Sequence, residues 1–152
     1  MALPNIFTLE ETSRIIERIN KLTNLTQPIW GKMNVAQMLA HVCVSYEMVY
    51  ENKHKAPGAF LKFILKTFIK KSIVGEGPYK KNSQTAPAFL ITNERDFNTE
   101  KQRIIDYLKK TQELGENYFE DRESLSFGKL SKKEWNNLFW KHIDHHLKQF
   151  GV

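Results

Sequence analysis

The sequence predicts an all-α fold, a four-helix bundle with one long crossover. Three observations point there. Four segments carry helix-start signals with apolar residues at helical spacing, and roughly 45 residues separate the second from the third. The length of 152 residues suits a single domain, 1–152, with one core. An apolar fraction of 41% and a charged fraction of 26%, without a biased tract, exclude collagen-like, low-complexity and extensively disordered chains.

Helix one opens at Thr8-Leu9-Glu10-Glu11, where a Thr N-cap and a Glu three residues later spell a capping box. It runs to about Leu22, with Leu9, Ile15, Ile16, Ile19 and Leu22 as its apolar positions. Asn34 and Gln37 repeat the device ahead of Val35, Met38, Leu39, Val42, Tyr46, Val49 and Tyr50. A helix apolar on most sides belongs at the centre. In the crossover, Pro57-Gly58 marks a turn, Ala59 to Val74 reads as a short amphipathic helix, and Gly75-Glu76-Gly77-Pro78 breaks it. Thr85 to Thr92 is expected to run extended over the body. Asn98 or Thr99 opens the third bundle helix, which Gly115 ends. Ser131 with Glu134 opens the last, and Leu130 with Trp135 supplies a hydrophobic staple. Gly151 stops it.

Location and charge narrow the function classes. A lone Cys43 forms no intrachain disulfide, and residues 1–30 hold no apolar core of signal-peptide length. A cytoplasmic protein is expected. Lysines interrupt Ala59 to Val74, the most apolar stretch, so no transmembrane helix is expected. The net charge of +6 is local: Lys53 to Lys81 holds eight Lys against Glu76 alone and carries +7, while the remaining 15 basic and 16 acidic residues sum to −1. A solvated face is the plain reading of the segment 53–81. Contact with an anionic group is the sharper one, and a membrane or nucleic-acid binder acting through Lys62, Lys66 and Lys70 a third. No motif calls for a nucleic-acid partner.

The histidines carry the chemistry. With Trp135 at zero and about 100° per residue, Phe139 falls near 40°, His142 near 340° and His146 near 20°, in the middle of the apolar stripe. Asp144, near 180°, and Lys148, near 220°, take the solvent side, and His145, near 280°, sits on the shoulder. Two imidazoles one turn apart on a buried face cost stability unless their nitrogens are satisfied. One divalent ion satisfies both, and His41 on helix two, in line with Met38, Ser45 and Met48, is the candidate third ligand. Two plainer readings stand beside this: histidines hydrogen-bonded within a core, and a cation favoured at the helix C-terminus, which suits His145. The choice between His145 and His146 as ligand stays open.

His54, between Lys53 and Lys55, reads as an exposed loop residue, and Cys43 as a small buried hydrophobe. There is no Gly-rich phosphate loop, nucleophile elbow or Cys-x-x-Cys pair, and inward carboxylates of the di-iron type are not expected. Homodimerisation through spare apolar surface is left undecided.

Three stretches resemble the DinB-like superfamily, within it a branch of small bacterial proteins carried as a domain of unknown function: Trp30 to His41, Asn82 to Phe89, and Phe127 to Ser131 continuing through Glu134-Trp135 to His142–Gly151. The resemblance spans nearly the whole chain. It implies a DinB-like four-helix bundle with one divalent metal, Zn²⁺ or Ni²⁺, held by His41, His142 and His146. It also implies a metal-dependent transferase or hydrolase acting on a small-molecule substrate, with a low-molecular-weight thiol as a second cofactor. The alternative class is a non-catalytic ligand-binding or interaction bundle with a histidine-containing core.

Overall fold

Three of the four bundle-helix starts read from the sequence recur in the computed structural model, which describes residues 2–152. Helix α1 (Leu9–Asn20) begins where the Thr8 hydroxyl accepts from the Glu11 amide. The reciprocal half of the expected capping box is absent, because the Glu11 carboxylate instead accepts from Trp140 Nε1–H at 2.8 Å and from Arg14. That bond joins α1 to the last helix. Helix α2 (Val35–Tyr50) has both halves of its Asn34/Gln37 box, and every residue from Met38 to Glu47 is buried, as expected of a central helix.

The crossover helix forms in three pieces: α3 (Ala59–Ile64), a π-turn (Leu65–Ile69) and α4 (Lys70–Val74). Buried Lys141 closes its end, donating to the carbonyls of Ser72, Ile73 and Gly75 at 2.9, 3.2 and 2.7 Å. These are carbonyls that the last turn of a helix leaves unpaired. Burial brings the Lys141 ammonium down to about 8. Residues 85–92 are not uniformly extended, since Pro87–Phe89 makes a 3₁₀ turn.

Helix α5 (Phe97–Leu114) starts two to three residues ahead of the caps expected at Asn98 or Thr99. Asp96 is the N-cap, taking the Thr99 amide at 2.8 Å, and Asp is among the best N-cap residues. After it, β1 (Arg122–Ser124) and β2 (Gly128–Leu130) form an antiparallel hairpin with Arg122 opposite Leu130. Strands of three residues are too short for alternation to announce them. Helix α6 (Lys132–Gln149) has the full Ser131/Glu134 capping box, and the staple residues Leu130 and Trp135 are buried.

Helix α2 packs on α5 and α6, and α1 on the same two. The buried core includes Ile6, Ile15, Leu39, Ile104, Phe119 and Phe139. Tyr46 lies within it, its ring stacked on Phe139 at 4.6 Å and Tyr107 at 5.6 Å. Its hydroxyl is buried and without a hydrogen-bond partner. Among the described residues no helix is long and apolar enough to cross a membrane.

A buried hydroxyl without a partner contributes desolvation cost and no bond. Tyr46→Phe is expected to leave the urea midpoint unchanged or raise stability by up to ~1 kcal/mol, whereas Phe119→Ala should lower it by about 3–5 kcal/mol. A Tyr46→Phe loss comparable to that of Phe119→Ala would reveal a hidden partner for the hydroxyl.

Candidate metal centre

His41 reaches the site from the first half of α2, and His142 and His146 from successive turns of α6. All three are buried, and one ring nitrogen of each lies within 4.8 Å of the others, close enough to hold one metal ion. The ring centroids of His41 and His146 are 4.5 Å apart, those of His41 and His142 4.8 Å, and those of His142 and His146 5.0 Å. The helical positions had set His142 and His146 on one buried face, and His41, the candidate third ligand from α2, lies beside them. His145 instead lies half-buried between Trp30 and Tyr79, its ring edge-on to each at 5.8 Å.

Hydrogen bonds at the Nδ1 atoms decide which nitrogens face the centre. His41 Nδ1 lies 2.8 Å from the Phe89 carbonyl. A carbonyl only accepts, so this ring is the Nδ1–H tautomer and its Nε2 carries a lone pair. His146 Nδ1 lies 2.7 Å from Gln149 Oε1, while Gln149 Nε2 donates to the Trp30 carbonyl at 2.7 Å. The Trp30 carbonyl fixes which way the amide points, so Oε1 accepts and His146 is an Nδ1–H tautomer as well. His142 Nδ1 meets the Ser45 hydroxyl at 2.8 Å, and its Nε2 lies 2.9 Å from His41 Nε2. Metal-binding histidines characteristically give their second N–H to such an oxygen, which orients the ring and raises its basicity.

The 29–31 loop is shaped around Gln149. The Ile29 amide donates to the Gln149 carbonyl at 2.7 Å. Gly31 adopts a φ of +86°, and a Cβ there would sit 2.4 Å from Gln149 Nε2. Only glycine meets both demands. On the crossover, the 3₁₀ turn lays the Phe89 ring edge-on to His41 at 5.4 Å and His142 at 5.6 Å. Lys81 Nζ stands 4.1 Å over the Trp30 ring.

Burial holds the imidazoles neutral. It lowers His41, though the bond to Phe89 opposes the shift, and it drives His142 far below the usual histidine range. His146 falls to about 3, first through burial and then through the neighbouring His41. His145 is lowered by burial too.

Other residues depart from the sequence reading. His54 is half-buried, its Nε2 2.7 Å from the Glu47 carboxylate. Asp144 is buried against α1, paired with Arg18 at 2.9 Å. Inward carboxylates do occur: Glu47 and Glu100 are buried. Arg103 binds both, with Lys53 also on Glu47 and Arg95 on Glu100, so neither is free to ligate. Cys43 is buried as expected, its thiol pushed up to about 12 by burial. Lys62 and Lys70 of the lysine row are ion-paired to Glu123 and Glu134.

The ring partners were missed in the sequence. Ser45, four residues after His41, and Gln149, three after His146, carry a helical-spacing signal, whereas the Phe89 carbonyl carries none.

The family model described as "Protein of unknown function (DUF1569)" matches residues 4–151. The chain belongs to this family. No curated protein and no solved structure matches it. Family membership gives the chain's kinship without an activity, and the converging imidazoles are the strongest chemical feature of this family member.

The buried neutral rings set a pH dependence. An unfolded histidine titrates near 6.5, while folded His146 resists protonation down to about 3. Below pH 6.5 the unfolded chain therefore binds more protons, so stability present above that pH is lost as pH falls toward 3. Chelator-treated protein should lose stability from pH 7 to 5, and His146→Asn should reduce that loss by up to about 2 kcal/mol in urea titrations. An identical pH slope in the variant would contradict the assignment of a buried neutral ring.

Proposed function

We propose that the chain is a DinB-like four-helix bundle, a single domain over 1–152, that acts as a metal-dependent transferase or hydrolase on a small molecule. His41, His142 and His146 hold one divalent ion, Zn²⁺ or Ni²⁺, through their Nε2 atoms. The observation that supports this best is tautomeric: the Phe89 carbonyl and Gln149 Oε1 take the Nδ1 protons of His41 and His146, leaving Nε2 lone pairs at the centre of the trio. Three imidazole ligands fit Zn²⁺ and Ni²⁺ alike and leave coordination positions for reactants.

A bound divalent ion supplies Lewis acidity, making a water or a low-molecular-weight thiol nucleophilic near neutral pH. The protein's own residues shape the surroundings. Phe89 covers two of the rings and excludes water from that side. Trp30 and Tyr79 flank the approach beside His145, and Lys81 over Trp30 supplies positive charge suited to a carboxylate on a substrate or thiol. Cys43 is not the nucleophile, because its buried thiol is held protonated at neutral pH.

One distance favours the second reading, a non-catalytic bundle with a hydrogen-bonded histidine core. If Ser45 donates to His142 Nδ1, His142 Nε2–H can donate to His41 Nε2 at 2.9 Å. That arrangement satisfies two rings and gives His146 Nε2 no hydrogen bond to a described residue. One ion relieves all three.

Elemental analysis of untagged protein tests the choice. About one divalent metal per chain is expected, falling to background in His142→Ala with the helical circular dichroism retained. Gln149→Leu should weaken metal affinity by roughly 10- to 100-fold. Protein that neither carries metal nor takes up Zn²⁺ or Ni²⁺ on titration would favour the hydrogen-bonded core.

A further inference from the structure

The crossover helix turns two of its lysines toward the body. Lys62 Nζ bonds Glu123 at 3.1 Å on the hairpin, and Lys70 Nζ bonds Glu134 at 2.8 Å at the start of α6. Phe60, Phe63 and Phe68 are 78%, 63% and 71% exposed, and Leu61 is exposed with them. Three phenylalanines standing in water on one short element are costly unless something covers them.

Beside this ridge lies basic surface. An open cleft of about 550 Å³ between α3 and the hairpin is lined by Phe63, Lys62, Lys66, Lys129 and Glu123, and its neighbour by Lys66, Lys70, Lys71 and Glu134. Lys66, Lys71 and Lys129 have no ion-pair partner among the described residues. The clefts thus offer free ammonium groups, two from the basic segment 53–81 and one from β2.

We infer that the α3–α4 face docks on an anionic phospholipid bilayer, with Phe60, Phe63 and Phe68 entering the headgroup and acyl boundary and Lys66, Lys71 and Lys129 meeting the lipid phosphates. Charge selects this occupant. A second copy would bring the unpaired Lys66, Lys71 and Lys129 of two faces together, and a polyanion without hydrocarbon would use the lysines while leaving the phenylalanines wet. A bilayer engages both at once, through apolar insertion and attraction of basic side chains to anionic lipid. This surface is separate from the histidine trio, so the inference stands independently of the metal.

Vesicle flotation with the full chain tests it, comparing equimolar phosphatidylglycerol and phosphatidylcholine with phosphatidylcholine alone. Binding is expected to the anionic vesicles only. Phe60→Ser combined with Phe68→Ser, and separately Lys66→Glu combined with Lys71→Glu, should each weaken partition by roughly tenfold or more, with unchanged circular dichroism. Three outcomes would overturn the proposal. One is no vesicle binding. Another is undiminished binding by the serine variant, the mark of salt-sensitive adsorption that duplex DNA would share. The last is a dimer in sedimentation that the serine variant dissociates.

Discussion

Each imidazole buried between α2 and α6 needs a partner at Nδ1, and those partners come from separate parts of the chain. Phe89 reaches His41 from the crossover, Ser45 reaches His142 from α2, and Gln149 reaches His146 from the end of α6 while holding Trp30 in the first interhelical loop. Leaving a buried polar group without a partner costs more than a satisfied hydrogen bond returns, so each ring can be inside only when its segment is in place. The loop at 29–31, the 3₁₀ turn at 87–89 and the last turn of α6 are thereby fixed by one cluster. Fold and centre are one network.

Ionic contacts secure the rest without disturbing that cluster. At the far end of α2, Glu47 and Glu100 are neutralised by Arg103, binding α2 to α5. Lys141, the neighbour of His142, points away from the trio and closes α4 with its ammonium. Arg18 on Asp144 and Trp140 on Glu11 join α1 to α6. Carboxylates that could have competed for a cation are already occupied, which leaves the neutral imidazoles as the donor set open to one.

Much of this was legible in the sequence, for local reasons. Capping residues act within four positions, so the starts of α2 and α6 could be read from Asn34/Gln37 and Ser131/Glu134. His142 and His146 stood out because their spacing places both on the apolar stripe. Features set by distant partners were not legible. Glu11 forsakes its capping box for Trp140, Asp144 is drawn inward by Arg18, and Phe89 acts through its backbone. The crossover helix shows the limit most clearly: periodicity revealed two faces, but Glu123 and Glu134, more than 50 residues downstream, draw Lys62 and Lys70 inward while Lys66 and Lys71 stay exposed.

The central claim is that three Nε2 lone pairs share one cation. Anomalous diffraction at the metal edge, from crystals of untagged protein grown with Zn²⁺ or Ni²⁺, tests it most directly. The account requires one strong peak bonded at about 2.0–2.1 Å to the Nε2 atoms of His41, His142 and His146. Density showing the trio hydrogen-bonded with no ion among the rings, or a metal bound only elsewhere, would contradict it.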